Sequence, residues 1–295
     1  MKDTLESLRH KIEMAKELNS VVRTMKALSA SSINQYEKAY QSLEDYYRTV
    51  KLGLYVCLVR SKVPIELGKK KGGKTGAIIF GSGQGLVGQF NDVLCQFVAG
   101  KLEKIKGEKI IWTVGASLQG QLEDLRLPPT RLFEVPHTVK AITPLVGQLL
   151  FEIENAIEKE EVSEIFLFYN RPQSDAIYGP ECLRFAPLDE IWLQELITIK
   201  WPSPKIPETI YNPELTLKAL VREYFFVALF RASAESLASE NASRLAAMQR
   251  AEKNIKDLLN DLTLSYHQLR QSSIDEEMFD VIFGSEALRK KGVNR

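Results

Sequence analysis

Two stretches of this 295-residue sequence carry residue types and spacing that could hold a phosphate. The first is Gly68-Lys69-Lys70-Lys71-Gly72-Gly73-Lys74-Thr75, which satisfies G-x4-G-K-[ST]. That pattern works when a strand precedes it and a helix begins at its Lys-Thr, because the free N–H groups of the helix start then cradle the phosphates. Here Lys74-Thr75 runs into Gly-Ala-Ile-Ile-Phe, a strand pattern, and the upstream Val63-Pro64-Ile65 is a poor central strand. The expected reading is a solvated basic loop. The second stretch, Gly83-x-Gly85-x-x-Gly88, lies between a strand pattern and a helix pattern, as a dinucleotide site requires. The acidic residue that should follow about 20 positions later, at the end of the second strand, is absent, since Glu108 stands at that strand's beginning. A tight turn using glycine's freedom is expected instead. A P-loop or Rossmann nucleotide-binding enzyme is therefore the alternative reading, not the leading one.

Other chemistry is thin. His10, His137 and His267 are scattered, and neither HExxH nor G-x-S-x-G occurs. Cys57, Cys95 and Cys182 match no zinc spacing and read as reduced, packed thiols of a cytosolic protein. Glu160-Glu161 and Asp275-Glu276-Glu277 read as solvated faces or caps. No catalytic residue, metal ligand or cofactor site is expected. The balance of 39 Lys and Arg against 38 Asp and Glu offers no global attraction to nucleic acid. No apolar run approaches the roughly 18–20 residues of a membrane span, and the charged start Met1-Lys2-Asp3 does not resemble a signal peptide.

The elements fall into three segments. Residues 3–56 hold no proline and no glycine before Gly53, and apolar or aromatic side chains recur at 3/4 spacing. Leu5, Leu8, Ile12, Ala15 and Val22 begin this seam; Tyr36, Tyr40, Leu43, Tyr47, Val50 and Leu54 continue it. One helix of that length would span about 80 Å. A second helix is predicted from Pro213 to Gly284, with a seam through Leu245, Met248, Ile255, Leu259, Leu262, Tyr266 and Leu269 into which Glu252 intrudes. Compatible seams at opposite ends of one chain predict an antiparallel coiled coil. Between them, strands at Thr75–Phe80, Lys109–Val114 and Glu164–Tyr169 alternate with helices near 90–106, 117–125 and 141–160. That alternation predicts a parallel sheet with helices packed on it. Residues 171–207 read as irregular, with a further strand near Cys182–Ala186. The expected fold class is α/β: a long antiparallel two-helix coiled coil around a central Rossmann-like domain. The expected division is 1–57, 74–207, 213–288 and a basic tail, 289–295.

Three stretches carry a family resemblance. Ser239–Leu288 (SENASRLAAMQRAEKNIKDLLNDLTLSYHQLRQSSIDEEMFDVIFGSEAL) resembles the C-terminal signature of the γ subunit of F-type ATP synthases. Asn19–Ala30 (NSVVRTMKALSA) is similar to that family's N-terminal helix, and Gly83–Asn91 (GQGLVGQFN) to its glycine turn. The matches occur in order along both helices and the domain between them. The resemblance implies a non-catalytic rotor, whose terminal helices turn inside an α3β3 ring. The central domain would then lie against the ε subunit and the membrane c-ring. It further implies a peripheral protein at the cytoplasmic face of the cell membrane, attached only through the complex, without nucleic acid or cofactor.

The resemblance also places partner contacts. Met25, with Lys26 beside it, matches the region near an acidic lever loop of the β subunit; Arg244 matches the family arginine of the same region. Arg270 and Gln271 match an Arg-Gln pair that meets β-subunit loops higher in the ring. Arginine's charged fork suits such contacts, because it can exchange carboxylate and backbone partners. Several positions depart from the family. Ser32-Ile33-Asn34 replaces a more basic run, which should weaken attraction to the lever loop, with Lys26 partly offsetting the loss. Gln84, Gln89 and Asp275 are also unusual, and together these departures point to a divergent or alternative-type F-ATPase. A regulatory insert with paired cysteines is absent from the sequence.

Overall fold

The computed structural model describes residues 4–61, 73–174, 177–188, 190–199, 201–203, 205–208 and 212–292. Its helices are α1 (Leu5–Ser42), α2 (Glu44–Ser61), α3 (Phe90–Leu102), α4 (Gln119–Asp124), α5 (Val139–Glu158), α6 (Glu190–Ile197) and α7 (Pro213–Gly292). Its strands are β1 (Lys74–Phe80), β2 (Lys109–Val114), β3 (Arg131–Phe133), β4 (Val162–Arg171) and β5 (Gly179–Ala186). The chain forms two compact units, residues 29–245 and residues 1–28 with 246–295.

In the unit spanning 29–245, five strands form one sheet in the order β3-β2-β1-β4-β5. Alternate side chains of β1 feed opposite layers. Ile78 and Phe80 join Trp112, Val114, Ile165 and Leu167 under α5, where Ala228–Ala238 of α7 and Tyr36 of α1 complete the layer. Ala77 and Ile79 face the other way, with Ile111 and Phe168, against Leu94, Val98 and Leu102 of α3 and Leu122 of α4. Both faces are covered, which is why these strands read as unbroken apolar runs. A third cluster joins Val50, Leu54 and Cys57 of α2 to Leu196 of α6 and Leu217 and Tyr224 of α7. Gly53 lets α2 approach closely there, since a Cβ at that position would lie 3.1 Å from Leu220.

In the other unit α1 and α7 run antiparallel: Val22 packs with Met248 and Ile255, while Leu8 lies beside Ser265–Glu276. Buried positions of α1 in this unit recur every seven residues, at Leu8, Ala15 and Val22. That spacing is the heptad of a coiled coil.

The structure departs from the sequence expectations in five places. The N-terminal helix is two helices, broken at Leu43. There the Leu43 N–H bonds to the Tyr40 carbonyl, a tightened turn, and the Ser42 hydroxyl takes the Ala39 carbonyl at 2.9 Å; such side-chain back-bonding bends helices. The sheet is mixed, because β5 runs antiparallel to β4. Residues 172–178 are too few for the crossover of about a dozen residues that a parallel neighbour needs. Strand β3, only three residues long, and helix α6, inside the segment read as irregular, were not expected. Finally, α7 continues through Gly284 to Gly292, taking in the start of the basic tail. An isolated helical glycine costs about 1 kcal/mol, too little to stop an 80-residue helix. Residues 293–295 of that tail lie outside the described residues.

Candidate functional site

The two phosphate motifs can be judged by what their residues do. Gly68–Gly72 lies outside the described residues, but Lys74 and Thr75 open β1, not a helix. Lys74 Nζ lies 2.7 Å from Glu108 Oε2, and the Thr75 hydroxyl bonds to Glu164 Oε1 at 3.2 Å. A strand start presents no cluster of free N–H groups, so Lys74 and Thr75 do not open the helix that a phosphate cradle uses.

The glycine turn is tied to the rest of the chain at Ser82 and Val87. Asn91 accepts from the Ser82 N–H and donates to the Ser82 hydroxyl, at 3.1 and 2.9 Å. From α7, Ser236 donates to the Phe80 carbonyl at 3.1 Å and Ser243 to the Val87 carbonyl at 2.6 Å. Asp92 in the first turn of α3 adds negative charge where a pyrophosphate would need the opposite. Gly115 approaches from β2 with φ +107°, and a Cβ there would lie 2.5 Å from the Ser82 carbonyl oxygen. The turn is a joint between sheet and α7.

The residues placed by the family resemblance occupy three settings. Met25 is half-buried and packs on Val22, Met248 and Ile255, as a seam residue. Its neighbour Lys26 is tied down: its ammonium lies 2.6 Å from Glu252 Oε2. Arg23 Nε and Lys256 Nζ reach Glu252 Oε1 at 3.2 and 3.3 Å. Hydrogen bonds from Lys26 and then Lys256 hold the Glu252 carboxyl down to about 2. The cations outnumber the carboxylate three to one at this level, but Lys26 already has an internal partner. Sequence reading registered Glu252 only as an interruption. Its position opposite Arg23 and Lys26, in an antiparallel register set by Val22 and Met248, was the available signal.

Arg244 is also committed internally. Its guanidinium lies 2.5 Å from Glu240 Oε1, and the two side chains are 13% and 6% exposed. It also donates to Asn241 Oδ1 at 3.4 Å. Burial pushes the Glu240 carboxyl above its ordinary value, against the attraction of Arg244. Tyr36 of α1 is raised by burial and by the charge of Glu240, so the three groups share one enclosed site.

Arg270 and Gln271 are different. Both are exposed; Gln271 bonds only to Asp275, at 3.2 Å, and Arg270 makes no ion pair among the described residues. Along α7 they lie about 27 Å beyond Glu252, at 1.5 Å per residue, so the candidate contacts form separate levels and not one pocket. Farther on, Met278, Phe279, Val281 and Phe283 are between 51% and 72% exposed. No helix among the described residues is long and apolar enough to cross a membrane.

Comparison with known proteins agrees along nearly the whole chain. A family model described as ATP synthase matches residues 4–288. The ATP synthase gamma chain of Geotalea uraniireducens (strain Rf4) is 25% identical, over 97% of this chain and 99% of its own. That of Acetivibrio thermocellus is 24% identical over the same shares, 97% and 99%. Among solved structures, a chain of the Euglena gracilis mitochondrial ATP synthase rotor superposes with a TM-score of 0.65 at 16% identity, covering 92% of this chain and 98% of that one. The last is a likeness of fold.

Proposed function

This chain belongs to the ATP synthase family, in which its full-length relatives are gamma chains, and on that premise we propose that it is the central-stalk rotor of an F-type ATP synthase. It couples ion flow through the membrane sector to ATP synthesis or hydrolysis in an α3β3 ring. Its partners in this reading are the α and β subunits, the ε subunit and the c-ring, and its place is the cytoplasmic face of the membrane, held there through the complex.

The observation that carries the reading is the antiparallel pairing of α1 with α7 around a seam of heptad spacing. Two helices joined along a seam resist bending and shear better than one, as torque transmission requires. The pair is also uneven. One level carries three cations around Glu252, another the exposed Arg270 and Gln271, and a third the bare apolar side chains of Met278, Phe279, Val281 and Phe283. Three identical catalytic sites around such a shaft meet different surfaces at any moment. Each orientation then favours one conformation at each site, which is population shift by differential contact. Exposed Phe279 and Phe283 on α7 support enclosure of that level by other protein.

Co-expression with cognate α and β subunits tests the proposal. The expected outcome is co-purification in an ATP-hydrolysing complex, with rotation of a bead attached to the α/β unit. Assembly of an active ring that excludes this chain would overturn it.

A further inference from the structure

A cavity of about 330 Å³ lies within the 29–245 unit, where α2, the end of β5, α6 and α7 converge. Its walls include Tyr47, Lys51, Arg184, Trp192, Glu195 and Tyr224. The Tyr47 and Tyr224 rings stack with centroids 5.5 Å apart, and Trp192 meets Tyr224 edge-on at 5.4 Å. Lys51 Nζ sits 4.3 Å from the centre of the Tyr47 ring. Burial lowers the Lys51 amine below its ordinary value, with Glu195 opposing. Arg184 enters from β5, its guanidinium 3.9 Å from Glu164.

We propose that this cavity binds a small aromatic anion, a single ring bearing a phosphate or carboxylate. Lys51 and Arg184 face the anionic group, and the Tyr47–Tyr224–Trp192 wall holds the ring. Three physical arguments converge on that class. Two cations and one carboxylate line the cavity, with Glu164 3.9 Å from Arg184 beyond the lining, so the side chains a ligand meets attract an anion more than a cation. An organic cation would seek the aromatic faces, but Lys51 already occupies that of Tyr47, and like charges repel. A wholly apolar ligand would strip the remaining water from Lys51 without replacing its contacts. Size sets the upper bound: ligand cavities run from about 300 to 1,000 Å³, and this one lies at the small end, too small for a dinucleotide.

Pyridoxal 5′-phosphate tests the site, being a ring with a phosphate and an aldehyde. The Lys51 amine adds to the aldehyde carbon, water leaves, and borohydride delivers hydride to the imine carbon, fixing a secondary amine that peptide mapping locates. With the full chain at mildly alkaline pH, Lys51 is expected to be labelled severalfold faster than exposed lysines. Phenyl phosphate should protect it, and inorganic phosphate at the same concentration should not. Arg184→Gln should slow labelling of Lys51 in a chain whose circular dichroism is unchanged; if that variant unfolds, the protection experiment on the unaltered chain decides. Labelling that follows exposure alone would overturn the proposal. So would failure of phenyl phosphate to protect, or equal labelling of Lys51 by glyoxylate, an anionic aldehyde without a ring.

Discussion

Lys26 Nζ lies 2.6 Å from Glu252 Oε2, although 226 positions separate the two residues in the chain. Glu252 stands in the α7 seam between Met248 and Ile255, where an apolar side chain would pack. A polar residue at such a position lowers stability but sets register. Arg23 and Lys26, one turn apart on α1, both reach this carboxylate, and sliding α1 by a turn would leave it only one of the two cations. The cluster thus favours the alignment that Val22, Met248 and Ile255 also set by packing.

Glu252→Gln should lower the thermal midpoint of the full chain at neutral pH. The Glu252 carboxyl is held at about 2 against an ordinary 4.5. Its contribution is therefore present above about 4.5 and is lost as pH falls towards 2. Thermal melts of both chains across that window should show the gap between them closing. A constant gap would assign the effect to packing.

Arg244→Ala should destabilise the isolated chain by about 3–5 kcal/mol, because it leaves the Glu240 carboxylate enclosed without its cation. Arg244→Met combined with Glu240→Leu should recover much of that loss. Urea unfolding midpoints of the singles and the double provide the comparison. A harmless Arg244→Ala would mean that this arginine serves partners alone.

Arg270→Ala and Gln271→Ala should leave the isolated chain's melting unchanged. The Gln271–Asp275 bond is an exposed pair one helical turn apart, worth about 0.2–0.5 kcal/mol. In a reconstituted ring the same changes should slow ATP hydrolysis. Unchanged hydrolysis would favour a coiled-coil scaffold over a rotor.

Gly115→Ala should cost about 1–3 kcal/mol from backbone strain alone, since its φ of +107° is a glycine conformation. The added methyl would also press on the Ser82 carbonyl oxygen, 2.5 Å away. Gly85→Ala has open space and ordinary backbone, so it should be nearly silent. Denaturant midpoints of the two variants separate a packing turn from one kept open for a ligand.

Thiol reagents should react slowly with the native chain. Burial pushes Cys95 up to about 11, with Asp92 adding to it, and raises Cys57 and Cys182 as well. Less thiolate means less nucleophile. Reaction rates should rise sharply once the chain is unfolded in urea, and fast native labelling of Cys95 would contradict its enclosure.

Periodicity made the long helices, the three central strands and the rejection of both phosphate motifs legible, because each depends on side chains near one another along the chain. The family resemblance then identified Met25, Arg244, Arg270 and Gln271 as positions of interest. It could not tell that Arg244 is enclosed with Glu240 while Arg270 is bare, since burial depends on what another element places opposite.

Local patterning alone determined two seamed helices and an α/β segment between them, since a 3/4 or a two-residue spacing is a property of consecutive residues. Tertiary structure decided the break at Leu43, the reversed direction of β5, and the partners of Lys26, Glu252 and Arg244. Those outcomes are set by connections too short to cross over and by charges brought together from opposite ends of the chain, and no window of neighbouring residues contains either.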